Sequence, residues 1–189
     1  MASFIALLRA VNVGGTGKLP MSELKAMCEA LGFEGVRTYI ASGNVVFASD
    51  ESEAHVKAAL ETQLRNHTGK PVDVLVRTAA EMAAVLASNP FRDRAPNRTV
   101  VIVLDAPSPA DALQNVTGQQ GEEMGLGVRE IYVHYGEEMA QSKLRIPAAI
   151  NGTARNMNTI AKLASMAAEV TSSRRPKSRL YPRRVSEVQ

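Results

Sequence analysis

Apolar periodicity switches repeatedly between two residues and nearly four through the first 77 positions, and that order restricts the fold more than any other feature. Ser3 to Leu8 reads as a buried strand, and the Gly-containing loop Ala10 to Lys18 follows it. Pro20 opens a helix over Met21 to Leu31, where Leu24, Met27, Cys28 and Leu31 recur at helical spacing and Gly32 supplies the left-handed stop. Val36 to Ile40 and Asn44 to Ala48 are rich in β-branched and aromatic residues and flank Ala41-Ser42-Gly43, a hairpin pattern. A helix over Ser52 to His67, ended by Gly69, leads to a strand over Val72 to Arg77. The resulting order, βαββαβ, is that of the ferredoxin-like split βαβ unit.

Thr78 with Glu81 three residues on has capping-box spacing and predicts a helix to about Ser88, stopped by Asn89-Pro90. Thr99 to Leu104 is an apolar strand, a short helix is expected from Ser108 or Pro109 to Val116, and strands follow at Glu123 to Leu126 and Glu130 to His134. Asn151 to Leu163, NGTARNMNTIAKL, reads as the start of a last helix running to about Ala168. The expected fold is α+β, two ferredoxin-like halves packed together, the second incomplete because it lacks its last strand. Residues 1–77 form the first half, 78–97 a connecting helix and linker, 98–170 the second half, and 171–189 a disordered basic tail.

The +3 net charge is unevenly placed. Arg174, Arg175, Lys177, Arg179, Arg183 and Arg184 against Glu187 give the tail +5, which leaves −2 for the body. A body of that sign does not suggest phosphate-driven grip on nucleic acid. With one cysteine, Cys28, no intramolecular disulfide or multi-cysteine metal cluster can form, and a cytoplasmic location is expected. The run Phe4 to Leu8 is too short to span a bilayer, so no membrane role is expected.

Gly14, Gly15 and Gly17 precede Lys18, yet a P-loop would need glycine at Asn12 and Ser or Thr at Leu19, and a dinucleotide loop would need a small residue at Pro20. What remains is a loop whose N–H groups could face an anion, or simply a turn needing positive φ. His55, His67 and His134 lack zinc spacing, so no metal is expected. Ser42 lies between strands and is no nucleophile elbow. An RNA-recognition surface would need exposed aromatics, and aromatic residues are only 4% of the chain.

The late segment draws the functional argument. On a helix, Arg155, Asn158 or Thr159, and Lys162 would share one face, while Met157, Ile160, Ala161 and Ala164 face the core. Arginine in a first helical turn opposes the macrodipole, and a bound phosphate or carboxylate would reverse that penalty. The competing reading is a capped amphipathic helix with a solvated polar face.

These motifs carry a resemblance. Thr153-Ala-Arg-Asn-Met-Asn-Thr-Ile-Ala-Lys-Leu, with Leu8-Arg-Ala-Val-Asn-Val-Gly-Gly, Met21-Ser-Glu-Leu, Leu31-Gly-Phe, Arg37-Thr-Tyr-Ile-Ala-Ser-Gly-Asn-Val-Val-Phe and Ser142-Lys-Leu, resembles the bacterial family of domain of unknown function 1697. The resemblance covers residues 3–168 and implies two ferredoxin-like halves and no established activity. Ala10 stands where that family often has glycine, and Met157 where it often has tryptophan.

Together these readings place Arg9, Asn12, Gly14, Gly15, Lys18, Ser42, Asn44, Lys143, Arg155, Asn156, Asn158 and Lys162 along one cleft between the halves. Its expected occupant is a small anion such as a nucleotide or sugar phosphate; the cofactor is unknown. Glu23 and Asp73 are the candidate general bases. The alternatives are a nucleic-acid-binding module that uses the tail, and an interaction scaffold whose polar motifs hold the halves together. Whether the protein is an enzyme, and its oligomeric state, stay open in the sequence.

Overall fold

The structure, a computed structural model, describes residues 1–12, 18–137 and 139–172. Among them the chain forms a mixed α+β fold with two four-stranded antiparallel sheets and four α-helices. The first sheet is built from β1 (Ala2–Leu8), β2 (Glu34–Tyr39), β3 (Asn44–Ser49) and β4 (Val74–Thr78), in the order β2-β3-β1-β4, with α1 (Met21–Ala30) and α2 (Glu53–Thr68) between its strands. After α3 (Ala79–Ala87), the second sheet comprises β5 (Thr99–Val103), β6 (Glu123–Leu126), β7 (Glu130–His134) and β8 (Thr153–Asn156), in the order β6-β7-β5-β8. The chain then enters α4 (Met157–Ser172).

β1 is apolar without alternation because both of its faces are covered. Phe4, Ala6 and Leu8 join Leu24 and Cys28 of α1 and Val56, Leu60 and Leu64 of α2 in one core. Ile5 and Leu7 face the other way, into a core shared with Met82 and Val85 of α3, Ile160 and Leu163 of α4, and Val101 and Tyr132 of the second sheet. The helices α3 and α4 therefore lie between the sheets. A third, smaller cluster of Ile131, Val133, Leu104, Ala112 and Ile146 covers the far face of the second sheet with turns rather than helices.

Local chemistry sets the helix ends. Ser52 caps α2 by accepting from His55 N–H, and Gly69 ends it at φ 72°. Thr78 and Glu81 form the expected capping box on α3.

The second half departs from expectation in three ways. No helix forms between Ser108 and Val116: Pro107 and Pro109 lack N–H donors, and the segment closes only into i→i+3 turns, Ala112 N–H to Pro109 O and Gln114 N–H to Asp111 O. The last strand is present after all. Thr153 to Asn156 pairs with β5, Val101 opposite Arg155, so the second half has its fourth strand and lacks α-helices between its strands. Consequently Arg155 lies on a strand and not on the first turn of α4, which starts at Met157 and is capped by Asn156 Oδ1 accepting from Thr159 N–H at 2.9 Å. Gly152 is no helix start either; a Cβ there would stand 2.7 Å from Ile102 Cγ2, so the glycine admits close approach to β5. Finally, α4 continues to Ser172, past the expected end at Ala168 and into the first two residues assigned to the tail. Gly14, Gly15 and the tail from residue 173 lie outside the described residues.

Candidate functional site

The Arg155 guanidinium is buried among residues of the first half. Nε donates to Asn44 Oδ1 at 2.6 Å, one terminal nitrogen to Thr153 Oγ1 and Ala154 O, and the other to Leu8 O at 2.9 Å and Ser42 O at 2.8 Å. A guanidinium has five N–H donors, and these bonds match all five. Burial, with no carboxylate bonded to it, pushes its pKa down to about 10. Asn44 is wholly buried and donates to Tyr39 O and Ser42 Oγ, so the Ser42 turn, Asn44 and Arg155 form one internal clasp. Gly43 belongs to it at φ 78°, packed on Leu8, and its carbonyl accepts from Leu8 N–H.

Arg9 has a different environment. It follows β1 directly, its N–H donating to Asp73 O, and the side chain sends one N–H to Asp73 Oδ2 at 2.9 Å and one to Ile150 O at 2.7 Å. Among the described residues its other donors are not engaged, in contrast to Arg155. Beyond it the backbone turns left-handed at Ala10 (φ 51°) and Asn12 (φ 58°). Ile40 (φ 50°) opens the neighbouring turn, whose Ala41 O accepts from Asn12 Nδ2. Side chains with a Cβ enter that region at a cost of roughly 1–2 kcal/mol each. The Asn12 side chain compensates in part, accepting from Leu19 N–H at 2.7 Å and donating to Leu19 O at 3.0 Å, which closes the loop at its base.

A cavity of about 550 Å³ opens beside this corner. Residues 9–12 with Lys18 and Leu19 form one wall, and His67, Thr68 and residues 70–73, between α2 and β4, form the other. Because β1 and β4 are adjacent, segments some 60 positions apart meet here. Arg9, Lys18, Lys70 and His67 line the cavity with, among the described residues, a single carboxylate, Asp73, which is already paired with Arg9. His67 Nε2 lies 2.7 Å from Glu23 Oε2 of α1.

The expected cleft thus separates into parts. Arg9, Asn12 and Lys18 line the cavity, whose walls come from the first half alone; Ser42, Asn44 and Arg155 are internal; Asn156 is a cap. Lys143 is exposed in the segment between β7 and β8, and Asn158 and Lys162 are exposed on α4; none of the three lines this cavity. His67 and Lys70 were missed, having no local motif; strand adjacency alone could have found them. Glu23 and Asp73, the candidate bases, both stand at this corner.

The protein-family model described as "Protein of unknown function (DUF1697)" matches residues 1–132. The chain belongs to this family. The matched span includes both walls of the cavity and stops before Lys143 and Arg155. No curated protein matches the chain. It is similar to the solved structure of conserved bacterial protein SP0830 from Streptococcus pneumoniae, at 26% identity and a TM-score of 0.74 over 88% of this chain and 98% of that one. Position 10, where the resemblance noted above expects glycine, is one that this family member holds at positive φ with alanine. Among the described residues no helix is long and apolar enough to cross a membrane.

Proposed function

We propose that the protein binds a small anionic ligand, one bearing a phosphate or carboxylate group, in the cavity between the β1–α1 loop and the α2–β4 connection. The observation that carries this reading is the convergence of Arg9, Lys18 and Lys70, beside His67, on one concavity with Asp73 as its sole lining carboxylate among the described residues. Cations gathered around a partly enclosed space raise the local concentration of anions. Left-handed alanine and asparagine at the rim add support, since backbone strain of this kind collects at binding sites. The volume falls within the roughly 300–1,000 Å³ usual for small-molecule sites.

The clasp favours a second role for part of the sequence pattern. Asn44 and Arg155 are buried, Ser42 is half-buried, and the three are bonded to one another; we assign them to holding the halves together. We further read both halves as ferredoxin-like. Their common strand order supports this, as does the βαββαβ succession of the first.

The test is a thermal-shift panel of inorganic phosphate, nucleotides and sugar phosphates on the full chain and on Lys18→Glu and Lys70→Glu variants. Saturation at a hundred times Kd adds about 2.7 kcal/mol, a rise of several degrees. The reading expects at least one anion to do this, and both variants to lose the response. No response from any anion contradicts it.

A further inference from the structure

Resting on the anion-binding reading, we infer that the ligand is an amphipathic anion, one charged head on an apolar body, rather than an inorganic ion or a sugar phosphate. The cations occupy only part of the cavity lining. Val11, Leu19, Pro71 and Val72 line the same space, and among the described residues no carboxylate besides Asp73 does. Asn12 and Thr68, the uncharged polar side chains of the lining, are already engaged, Asn12 with Leu19 and Ala41 and the Thr68 hydroxyl with Leu64 O and Lys70. A sugar would therefore place hydroxyls against valine, leucine and proline without partners, which costs binding energy for each unmatched group. Val11 and Leu19 are buried already, so a bare phosphate would leave the exposed Pro71 and the half-buried Val72 facing water. An apolar body of drug size fills a space of this volume and removes Pro71 and Val72 from solvent while Arg9, Lys18 and Lys70 hold its head.

Calorimetric titration of the full chain with inorganic phosphate, a hexose phosphate and naphthyl phosphate separates the cases, because all three present the same head. Naphthyl phosphate is expected to bind about tenfold or more tightly than the other two, the gain that an apolar contact of this size gives. Val72→Thr, close to isosteric at a half-buried position, should shrink that preference while inorganic phosphate binds as before. Equal affinities for all three, with phosphate binding still lost in Lys18→Glu, would overturn the inference and leave the anion site standing. No binding of any probe would overturn both.

Discussion

Arg77 and Arg155 hold equivalent places in the two halves. Each lies on the strand that flanks the central one, opposite Ile5 and Val101 respectively, and each directly precedes the residue that caps the next helix, Thr78 and Asn156. Each reaches into the other half. Arg77, almost wholly buried, donates to Leu104 O and Arg129 O, while Arg155 donates to Leu8 O and Ser42 O. Both bind main-chain oxygens, so the halves are joined by two crossed arginines placed by the same strand–cap–helix arrangement.

Arg155→Met should therefore destabilise the fold by about 2–4 kcal/mol, because Leu8 O, Ser42 O and Asn44 Oδ1 lose their donors in a dry interior. Arg155→Lys should also cost about 1–3 kcal/mol, since three ammonium donors cannot serve five acceptors. Chemical denaturation measures both. Wild-type stability in the lysine variant would show that charge, and not the fork, matters here.

Gly43→Ala should lower stability, because its Cβ would stand 2.8 Å from Leu8 Cβ at a backbone φ of 78°. Ala10→Gly should have the opposite sign. The left-handed strain it relieves, about 1–2 kcal/mol, exceeds the extra chain entropy of glycine, about 0.5–1 kcal/mol, so thermal melts should show a small net gain.

Much of this was legible in the sequence, and the limits have physical causes. The first half could be read because its strands and helices are bounded by Pro20, Gly32, Ser52, Gly69 and the Thr78–Glu81 box, each a local signal. The Thr153 to Asn156 strand was hidden because four residues show little periodicity and Gly152-Thr153 imitates a helix start. The repeat of arginine then cap, Arg77-Thr78 and Arg155-Asn156, was the available clue. Of the residues lining the cavity, Arg9, Asn12 and Lys18 were named from one loop, whereas His67 and Lys70 reach it only through the pairing of β1 with β4.

Stability should fall as acid titrates Glu81. Burial alone would raise its pKa; the hydrogen bonds from Thr78, with Arg77 and Arg129 nearby, outweigh that and hold it below its ordinary 4.5. A carboxylate with a lowered folded pKa contributes stability that is present above 4.5 and lost as pH falls through the folded value. Glu81 is partly exposed, so the contribution is small. Denaturation at neutral and acid pH should show a drop that Glu81→Gln reduces.

Cys28 should be inert in the native protein. It is fully buried in the α1 face, and burial, with Glu29 adding to it, pushes its thiol up to about 12. A thiol reagent at mildly alkaline pH should label it only after unfolding; rapid native labelling would show that α1 opens.

The most direct test of the proposed site is a phosphate titration of isotope-labelled protein followed by amide shifts. Saturable shifts grouped at residues 9–12, 18–19 and 67–73, with Asn44 and Arg155 little changed, are the predicted result. Shifts centred instead on Lys143, Arg155 or Lys162, or none that saturate, would contradict it.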